Sequence, residues 1–177
     1  MKKAVLTFAF ILFATVASFA QRFAYVDTEY ILKHIPEYSS AQKQLDALSQ
    51  QWQKEVDTRF AEIEKLYKAY QADQVLLTPE LRKKRENEIV EKEKAAKEFQ
   101  RIKFGFEGDL YKERVRLIQP IQERVAKAVQ AVAEGQQLDV IMDKSNQSAL
   151  LLYASSRLDK SNDVIVRLGY KPGTFAE

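Results

Sequence analysis

Residues 36–135 form the longest uniform stretch of the sequence, and their pattern is typical of amphipathic helix. Glycine and proline are scarce there, and apolar residues recur at steps of three and four, which places them on one helical face. One break interrupts the pattern, where Thr78 suits an N-cap, Pro79 the first helical position and Glu80 the first turn. The sequence therefore predicts a long antiparallel helical hairpin whose tip lies near residues 73–80.

The apolar positions define the seam along which the two helices are expected to pack. On the outgoing helix they are Ala41, Leu45, Leu48, Trp52, Val56, Phe60, Ile63, Tyr67 and Tyr70. On the return helix they are Ala95, Phe99, Ile102, Phe106, Leu110, Leu117, Ile121, Val125, Ala128 and Val132. Several repeat every eleven residues, so the pair should run nearly straight or coil weakly to the right. Roughly 36 residues give an arm on the order of 50 Å long, which is too thin to bury a globular core.

Three residues interrupt the return helix, namely Gly105, Gly108 and Pro120. Inside a helix, glycine costs about 1 kcal/mol and proline about 3 kcal/mol relative to alanine. We expect these residues to let the arm bend, so that a space between several arms can widen. The alternative is a fixed kink that only steers the helix.

A second apolar row lies beside the seam of the return helix. It consists of Phe104, Tyr111, Val115 and Ile118. The row either packs against the rest of the molecule or a neighbouring subunit, or it stays open and lines a cavity.

A run of four basic residues follows the tip. It consists of Arg82, Lys83, Lys84 and Arg85. Such a run is commonly a solvated helix end. Alternatively it contacts acidic lipid headgroups or acidic clients, because each basic residue near an anionic surface contributes about 1 kcal/mol.

Residues 1–20 have the three parts of a secretory signal peptide. Lys2 and Lys3 form a basic region, an apolar run follows, and small residues precede a cleavage site between Ala20 and Gln21. The alternative, an N-terminal membrane anchor, would need a longer apolar run. The mature chain is therefore expected outside the cytoplasm.

Charge and composition exclude several classes of function. The leader contains Lys2, Lys3 and no acidic residue, so its removal lowers the formal net charge from +3 to +1, and nucleic acid is not an expected partner. The chain has no cysteine and one histidine, His34, which cannot make a first-row transition-metal cage. His34 is expected to pack or to lie at the surface, and the carboxylates are spread along helix faces. No catalytic residue, metal or cofactor is expected, and the chain is interpreted as a protein that is not an enzyme.

Both ends of the chain carry strand signals. A strand at residues 22–27 precedes a short helix from Glu29 to about Ile35, which Pro36 ends or bends. Further strands are predicted at 138–143 and 149–154, with a polar turn that favours a hairpin between them. The central residues of these predicted strands are Tyr25, Val26, Val140, Ile141, Leu151 and Leu152.

The last predicted helix spans residues 162–168, with Ser161 as its cap and Gly169 as its stop. The fold class is therefore α+β, mainly α, with the arm (37–134) inserted in a β-containing body (21–36 and 135–177). Three short strands and two short helices are few for an independent core. We expect a homo-oligomer whose subunits complete one body.

Short motifs follow one another around the hairpin, and they point to a known family. They lie at residues 23–32, 104–105, 108–110, 118–122, 143–145, 151–154, 163–165 and 168–169. None is specific alone, but their order after a signal peptide resembles the Skp (OmpH-like) periplasmic chaperones of Gram-negative envelopes, particularly the Bacteroidetes members.

The resemblance implies a jellyfish-shaped homotrimer in which three arms enclose a cavity. It implies a soluble periplasmic holdase that works without ATP, shelters unfolded outer-membrane proteins and escorts them to the outer membrane. Anionic lipid or lipopolysaccharide is a further partner expected at the arm tips. The alternative, from another class, is a structural coiled-coil spacer or adaptor of the cell envelope.

Overall fold

The structure, a computed structural model, describes residues 22–145 and 152–175. The predicted signal peptide and its cleavage site at Ala20 and Gln21 lie outside these residues. The described elements, in chain order, are strand β1 (Phe23–Val26), helices α1 (Thr28–Leu32), α2 (Pro36–Asp73), α3 (Pro79–Phe104) and α4 (Asp109–Gly135), strand β2 (Val140–Asp143), a 3-10 turn (Ser156–Leu158) and helix α5 (Ser161–Arg167).

These elements divide into two compact units. One unit contains residues 35–124, and the other contains residues 22–34, 125–145 and 152–174. The mainly helical architecture, with a long hairpin and a small sheet, agrees with the predicted fold class.

Helices α2 and α3 form the predicted antiparallel hairpin. Residues late in α2 contact residues early in α3, and residues farther back in α2 contact residues later in α3. Near the turn the Tyr70 hydroxyl donates a hydrogen bond to Glu86, and farther back the Arg59 guanidinium lies 4.3 Å from the centroid of the Phe99 ring. The buried core of the hairpin consists of Ile63, Tyr70, Ile89 and Ala96.

The turn between α2 and α3 is built as predicted. Helix α2 ends at Asp73, and Thr78 takes an extended conformation before Pro79. The Thr78 hydroxyl oxygen accepts a hydrogen bond from the Leu81 amide at 3.4 Å. This cap satisfies one of the first amides of α3, which have no partner within the helix.

The predicted seam is partly wrong. On α2, Ala41, Leu45, Val56, Ile63 and Tyr70 are buried as expected. The predicted seam residues that are exposed instead are Phe60, Tyr67, Ala95, Ile102 and Phe106. On α3 the buried alanine is Ala96, one position later than predicted. The prediction extended one eleven-residue repeat along the whole return helix, but that helix is broken between α3 and α4, so the repeat changes phase there.

The start of α2 also differs from the prediction. The short helix α1 ends at Leu32, and Pro36 begins α2 rather than ending α1. Proline is well suited to this position because the first helical amide needs no intrahelical partner.

Strands β1 and β2 pair in parallel, so the two ends of the chain meet as predicted. The register runs from Phe23 opposite Val140 to Val26 opposite Asp143. Parallel strands need a long crossover connection, and here residues 27–139 supply it.

The predicted hairpin of two C-terminal strands is not found in the described residues. Leu151 lies outside them, while Leu152 and Tyr153 are exposed and not in a strand. On the side of β1 away from β2, a single parallel bridge joins Tyr25 to Asp159. The segment 156–160 lies beside β1 instead, where the Lys160 amide donates a hydrogen bond to the Tyr25 carbonyl at 2.9 Å.

A small core lies behind the sheet. Ala24, Tyr25 and Val26 are buried together with Ile31 of α1 and the Val164–Ile165 pair of α5. Gly169 ends α5 with a φ of 90°, as predicted.

Ser161 is the first residue of α5 rather than its cap. Its hydroxyl accepts a hydrogen bond from the Asp27 amide at 2.9 Å and donates one to Asp159 at 2.6 Å. It therefore ties the end of β1 to the segment before α5.

His34 is a buried packing residue. Its Nε2 accepts a hydrogen bond from the Gly173 amide at 3.0 Å, so its Nδ1 carries the proton and donates to the Tyr30 carbonyl at 2.8 Å. Its ring also meets the Tyr30 ring edge to face at 4.5 Å. These contacts explain why His34 is buried and give it a packing role.

Candidate functional site

The break between α3 and α4, residues 105–108, is the most distinctive local feature of the hairpin, and we call it the elbow. A hydrogen bond of 2.9 Å from the Gly108 amide to the Gly105 carbonyl closes a tight turn there. Glu107 sits in this turn with a φ of 52°, a conformation that residues other than glycine seldom adopt. A side chain at Gly105 would overlap the Arg101 carbonyl, and one at Gly108 would lie 2.8 Å from the Ile102 carbonyl oxygen. A side chain at either position would clash with a backbone carbonyl group, so the turn requires glycine at both.

The Lys103 side chain contacts both α4 and α2 at the elbow. Its ammonium group lies 2.6 Å from Asp109, the first residue of α4, and 4.7 Å from the centroid of the Trp52 ring on α2. The hydrogen bond from Lys103 lowers the pKa of Asp109. Trp52 also meets Phe104 edge to face at 6.4 Å. The elbow is therefore a braced bend, with contacts to all three helices of the unit.

The elbow turns Phe106 into solvent. Its side chain is 98% exposed, although the sequence pattern predicts it in the seam. The glycines on either side of the turn are the signal in the sequence that would have indicated this.

The predicted row beside the seam does not form one surface. Ile118 is buried, Phe104 and Val115 are half-buried, and Tyr111 is exposed. The elbow lies between Phe104 and the other three, so their helical spacing no longer keeps them on one face. Tyr111 alone is freely available to a partner.

Pro120 lies within α4 and does not end the helix. Because it has no amide hydrogen, the Arg116 carbonyl lacks its usual partner there. A groove beside Pro120 is lined by residues of α2 and α4, and at its edge Arg124 lies 3.1 Å from Glu37.

The tip of the hairpin combines apolar and basic side chains, and we call this combination the tip surface. Val75 and Leu76 are each 85% exposed in the turn, which sequence reasoning missed. The predicted basic run follows in the first two turns of α3. Arg82 donates from Nε to the Leu77 carbonyl at 3.1 Å, and Arg85 lies 3.6 Å from Glu88. Lys83 and Lys84 are exposed, and neither forms an ion pair with any described residue.

The small sheet buries β1 and exposes β2. Of the predicted body residues, Tyr25 and Val26 are buried, Ile141 is half-buried and Val140 is exposed. Met142 is exposed as well, and alternation along a strand places it on the same face as Val140. An exposed apolar strand face of this kind is a candidate interface.

Asp143, at the end of β2, accepts hydrogen bonds from two residues. The Thr28 hydroxyl donates to it at 2.6 Å and the Ser145 hydroxyl at 2.8 Å, and the amides of both residues also donate. Burial alone would raise the pKa of Asp143, but these hydrogen bonds outweigh it and hold the pKa below its usual value. The carboxylate therefore ties the start of α1 to the end of β2.

Two further findings concern ions and membranes. Within residues 22–145 and 152–175, no three acidic or histidine side chains are grouped to hold a metal ion. No helix in the same ranges combines the length and apolar character that crossing a bilayer requires.

Comparison with known proteins identifies the family. Residues 22–168 match the sequence family of outer membrane proteins described as OmpH-like. The chain belongs to this family. The OmpH-like fold is also found in a crystal structure from Caulobacter crescentus CB15, of a protein described as a candidate OmpH-like outer membrane chaperone. The two chains superpose with a TM-score of 0.66 over 89% of this chain and 90% of the other, at 13% sequence identity. No curated protein matches the chain in sequence.

The comparison confirms the resemblance to the OmpH-like family and the predicted hairpin fold. In this OmpH-like chain the tip surface, the elbow and the sheet each expose large apolar side chains. These three places are the candidate binding surfaces.

Proposed function

We propose that this OmpH-like chain is a chaperone that binds unfolded outer-membrane proteins in the periplasm and prevents their aggregation without ATP. The observation that carries the proposal is the large aromatic and aliphatic surface left exposed on a highly charged hairpin. Its exposed members on α2, α3, the elbow and α4 include Phe60, Val90, Ile102, Phe106 and Tyr111. Scattered apolar contacts on a charged scaffold suit a client that has no fixed shape, because many weak contacts can form in many arrangements.

Family membership supports the same reading. The Caulobacter crescentus neighbour is described as a candidate outer membrane chaperone. The signal peptide indicated by residues 1–20 would bring the mature chain to the periplasm, where such clients pass and where ATP is not available as an energy source.

We place the client in a space between the arms of a homotrimer. The two-stranded sheet is too small to be stable alone, and its strand β2 carries exposed Val140 and Met142. Leu152, Tyr153 and Val166 in the same unit are also exposed. Contact between copies through this region would bury these side chains and complete the body.

The test is a light-scattering assay. An outer-membrane β-barrel protein unfolded in urea is diluted with and without the mature chain, residues 21–177, and an equal mass of an unrelated folded protein serves as control. We expect suppressed scattering for several unrelated barrel clients. Absence of protection, together with fixed-stoichiometry binding of one folded partner, would instead favour the envelope spacer.

The tip surface supports a second candidate activity, contact with anionic lipid or lipopolysaccharide. Val75 and Leu76 are available for insertion among acyl chains, and Lys83 and Lys84 have no acidic partner in the described residues. Apolar insertion combined with basic residues is the usual chemistry of membrane-surface attachment.

Vesicle flotation tests this second activity. Replacing Lys83 and Lys84 by alanine should weaken binding to vesicles with phosphatidylglycerol by roughly thirtyfold, since each lysine contributes about 1 kcal/mol. Phosphatidylcholine vesicles and a Lys94→Ala, Lys97→Ala variant on the same helix are the controls. Equal binding by both variants would show that the tip surface does not bind anionic lipid. Acidic clients would then be its remaining candidate partner.

A further inference from the structure

The elbow holds one aromatic ring in water by means of a defined backbone structure. Gly105 and Gly108 allow the close approach of carbonyl groups that no other residue would permit, and Lys103 joins both sides of the turn through Asp109. The exposure of Phe106 follows from this bracing. A phenyl ring gains much free energy on burial, so a partner that covers this ring gains more than at most exposed positions.

The backbone of the elbow offers hydrogen-bond donors beside the ring. Phe106 and Glu107 occupy the two corners of the turn, and their amides donate to no described residue. Adjacent free donors of this kind can bind the carbonyl groups of an extended peptide, which presents one at every residue.

The two basic side chains just before the elbow are already paired. Arg101 lies 2.6 Å from Glu98, and Lys103 lies 2.6 Å from Asp109. Recognition at the elbow therefore depends on apolar contact and backbone hydrogen bonds more than on ionic attraction.

We propose that Phe106 and the elbow amides form a contact site for an extended apolar segment of an unfolded polypeptide. The ring is open on both faces and at its edge, so only a partner that wraps around it can bury it fully. An unfolded chain can do so, whereas a folded surface would need a matching pocket. The site deepens the proposed chaperone function and rests on it, since it names the part of the hairpin that grips a client.

The test uses a client that stays unfolded at neutral pH. Fluorescently labelled, reduced and carboxymethylated α-lactalbumin is titrated with the mature chain, and binding is followed by anisotropy. Phe106→Ala removes the ring without touching the core, and we expect it to weaken binding about tenfold. The matched control is Tyr67→Ala, which removes an exposed aromatic ring from the unbroken helix α2, and we expect a change below about twofold.

Amide hydrogen exchange gives an independent reading. With the client bound to the wild-type chain, exchange at Phe106 and Glu107 should slow, because their amides become hydrogen-bonded. If Phe106→Ala and Tyr67→Ala bind as well as the wild type, or if both lose affinity equally, the elbow site is overturned and the chaperone proposal stands. If the wild-type chain binds no unfolded polypeptide, the proposed function fails and the elbow site fails with it.

Discussion

At the scale of single residues, the smaller unit is held together by polar side chains that each join distant parts of the chain. Asp143 joins β2 to α1, His34 joins α1 to the segment at Gly173, and Ser161 joins α5 to Asp27. These bonds are valuable because the apolar core around them is small, and a buried polar group without its partner costs about 1–3 kcal/mol.

Replacing Asp143 by asparagine should show how much one of these polar links contributes to stability. An asparagine has one acceptor oxygen in place of a carboxylate, so we expect the free energy of unfolding at pH 7 to fall by about 1–2 kcal/mol. The folded pKa of Asp143 is depressed, so its stabilisation is present above the unfolded pKa and is lost as pH falls through the folded value.

The measurement is urea unfolding of both proteins across acid pH. The stability difference between wild type and Asp143→Asn should shrink as pH falls from about 5 to about 3. Asp46→Asn, at an exposed position of α2 where the carboxylate bonds to no described residue, serves as a second variant for general effects of charge. A difference that stays constant with pH would show that the Asp143 carboxylate is not the stabilising species.

At the scale of elements, the elbow is the feature that separates this hairpin from a simple pair of helices. The sequence identifies Gly105 and Gly108 as interruptions, and the structure gives each a steric reason. The expected flexibility of the arm at these glycines and at Pro120 stays a prediction. The close braces at Lys103 favour a fixed bend in the unbound chain.

Gly108→Ala tests whether the elbow requires a residue without a side chain at this position. The added methyl group would sit 2.8 Å from the Ile102 oxygen and 2.9 Å from the Gly105 oxygen, so the turn must shift. We expect a loss of about 1–2 kcal/mol in the free energy of unfolding. Gly135→Ala is the matched control, because a methyl group there meets nothing within 4 Å. Equal stability of the two variants in urea would contradict the steric account.

The elements also show which parts of the fold a sequence can predict. The hairpin and its Thr78 cap were predictable because helix periodicity and capping act within a few residues. The exposure of Phe106 was not, since the eleven-residue repeat assumes one continuous helix. The parallel pairing of β2 with β1 was not specified beyond the expectation that the chain ends meet, because a strand of four residues carries little information about a pairing that spans more than one hundred positions.

At the scale of the whole molecule, strand β2 is the element that favours self-association. Among the described residues the strand pairs with β1 on one side only, and Val140 and Met142 remain exposed on one face. Exposed edges and apolar faces of small sheets promote pairing with further chains. We therefore propose that copies of the chain associate through this sheet.

Charged substitutions on β2 test this assembly. In sedimentation velocity the wild-type mature chain should behave as a trimer at micromolar concentration. Val140→Asp with Met142→Asp should weaken association at least about tenfold, because carboxylates would have to be buried at the interface. Both positions are exposed in the single chain, so the variant should keep its helical circular dichroism. Val90→Asp on α3, at another exposed valine, should leave the mass unchanged. A wild-type chain that sediments as a monomer at all concentrations would contradict the shared body and the cavity built on it.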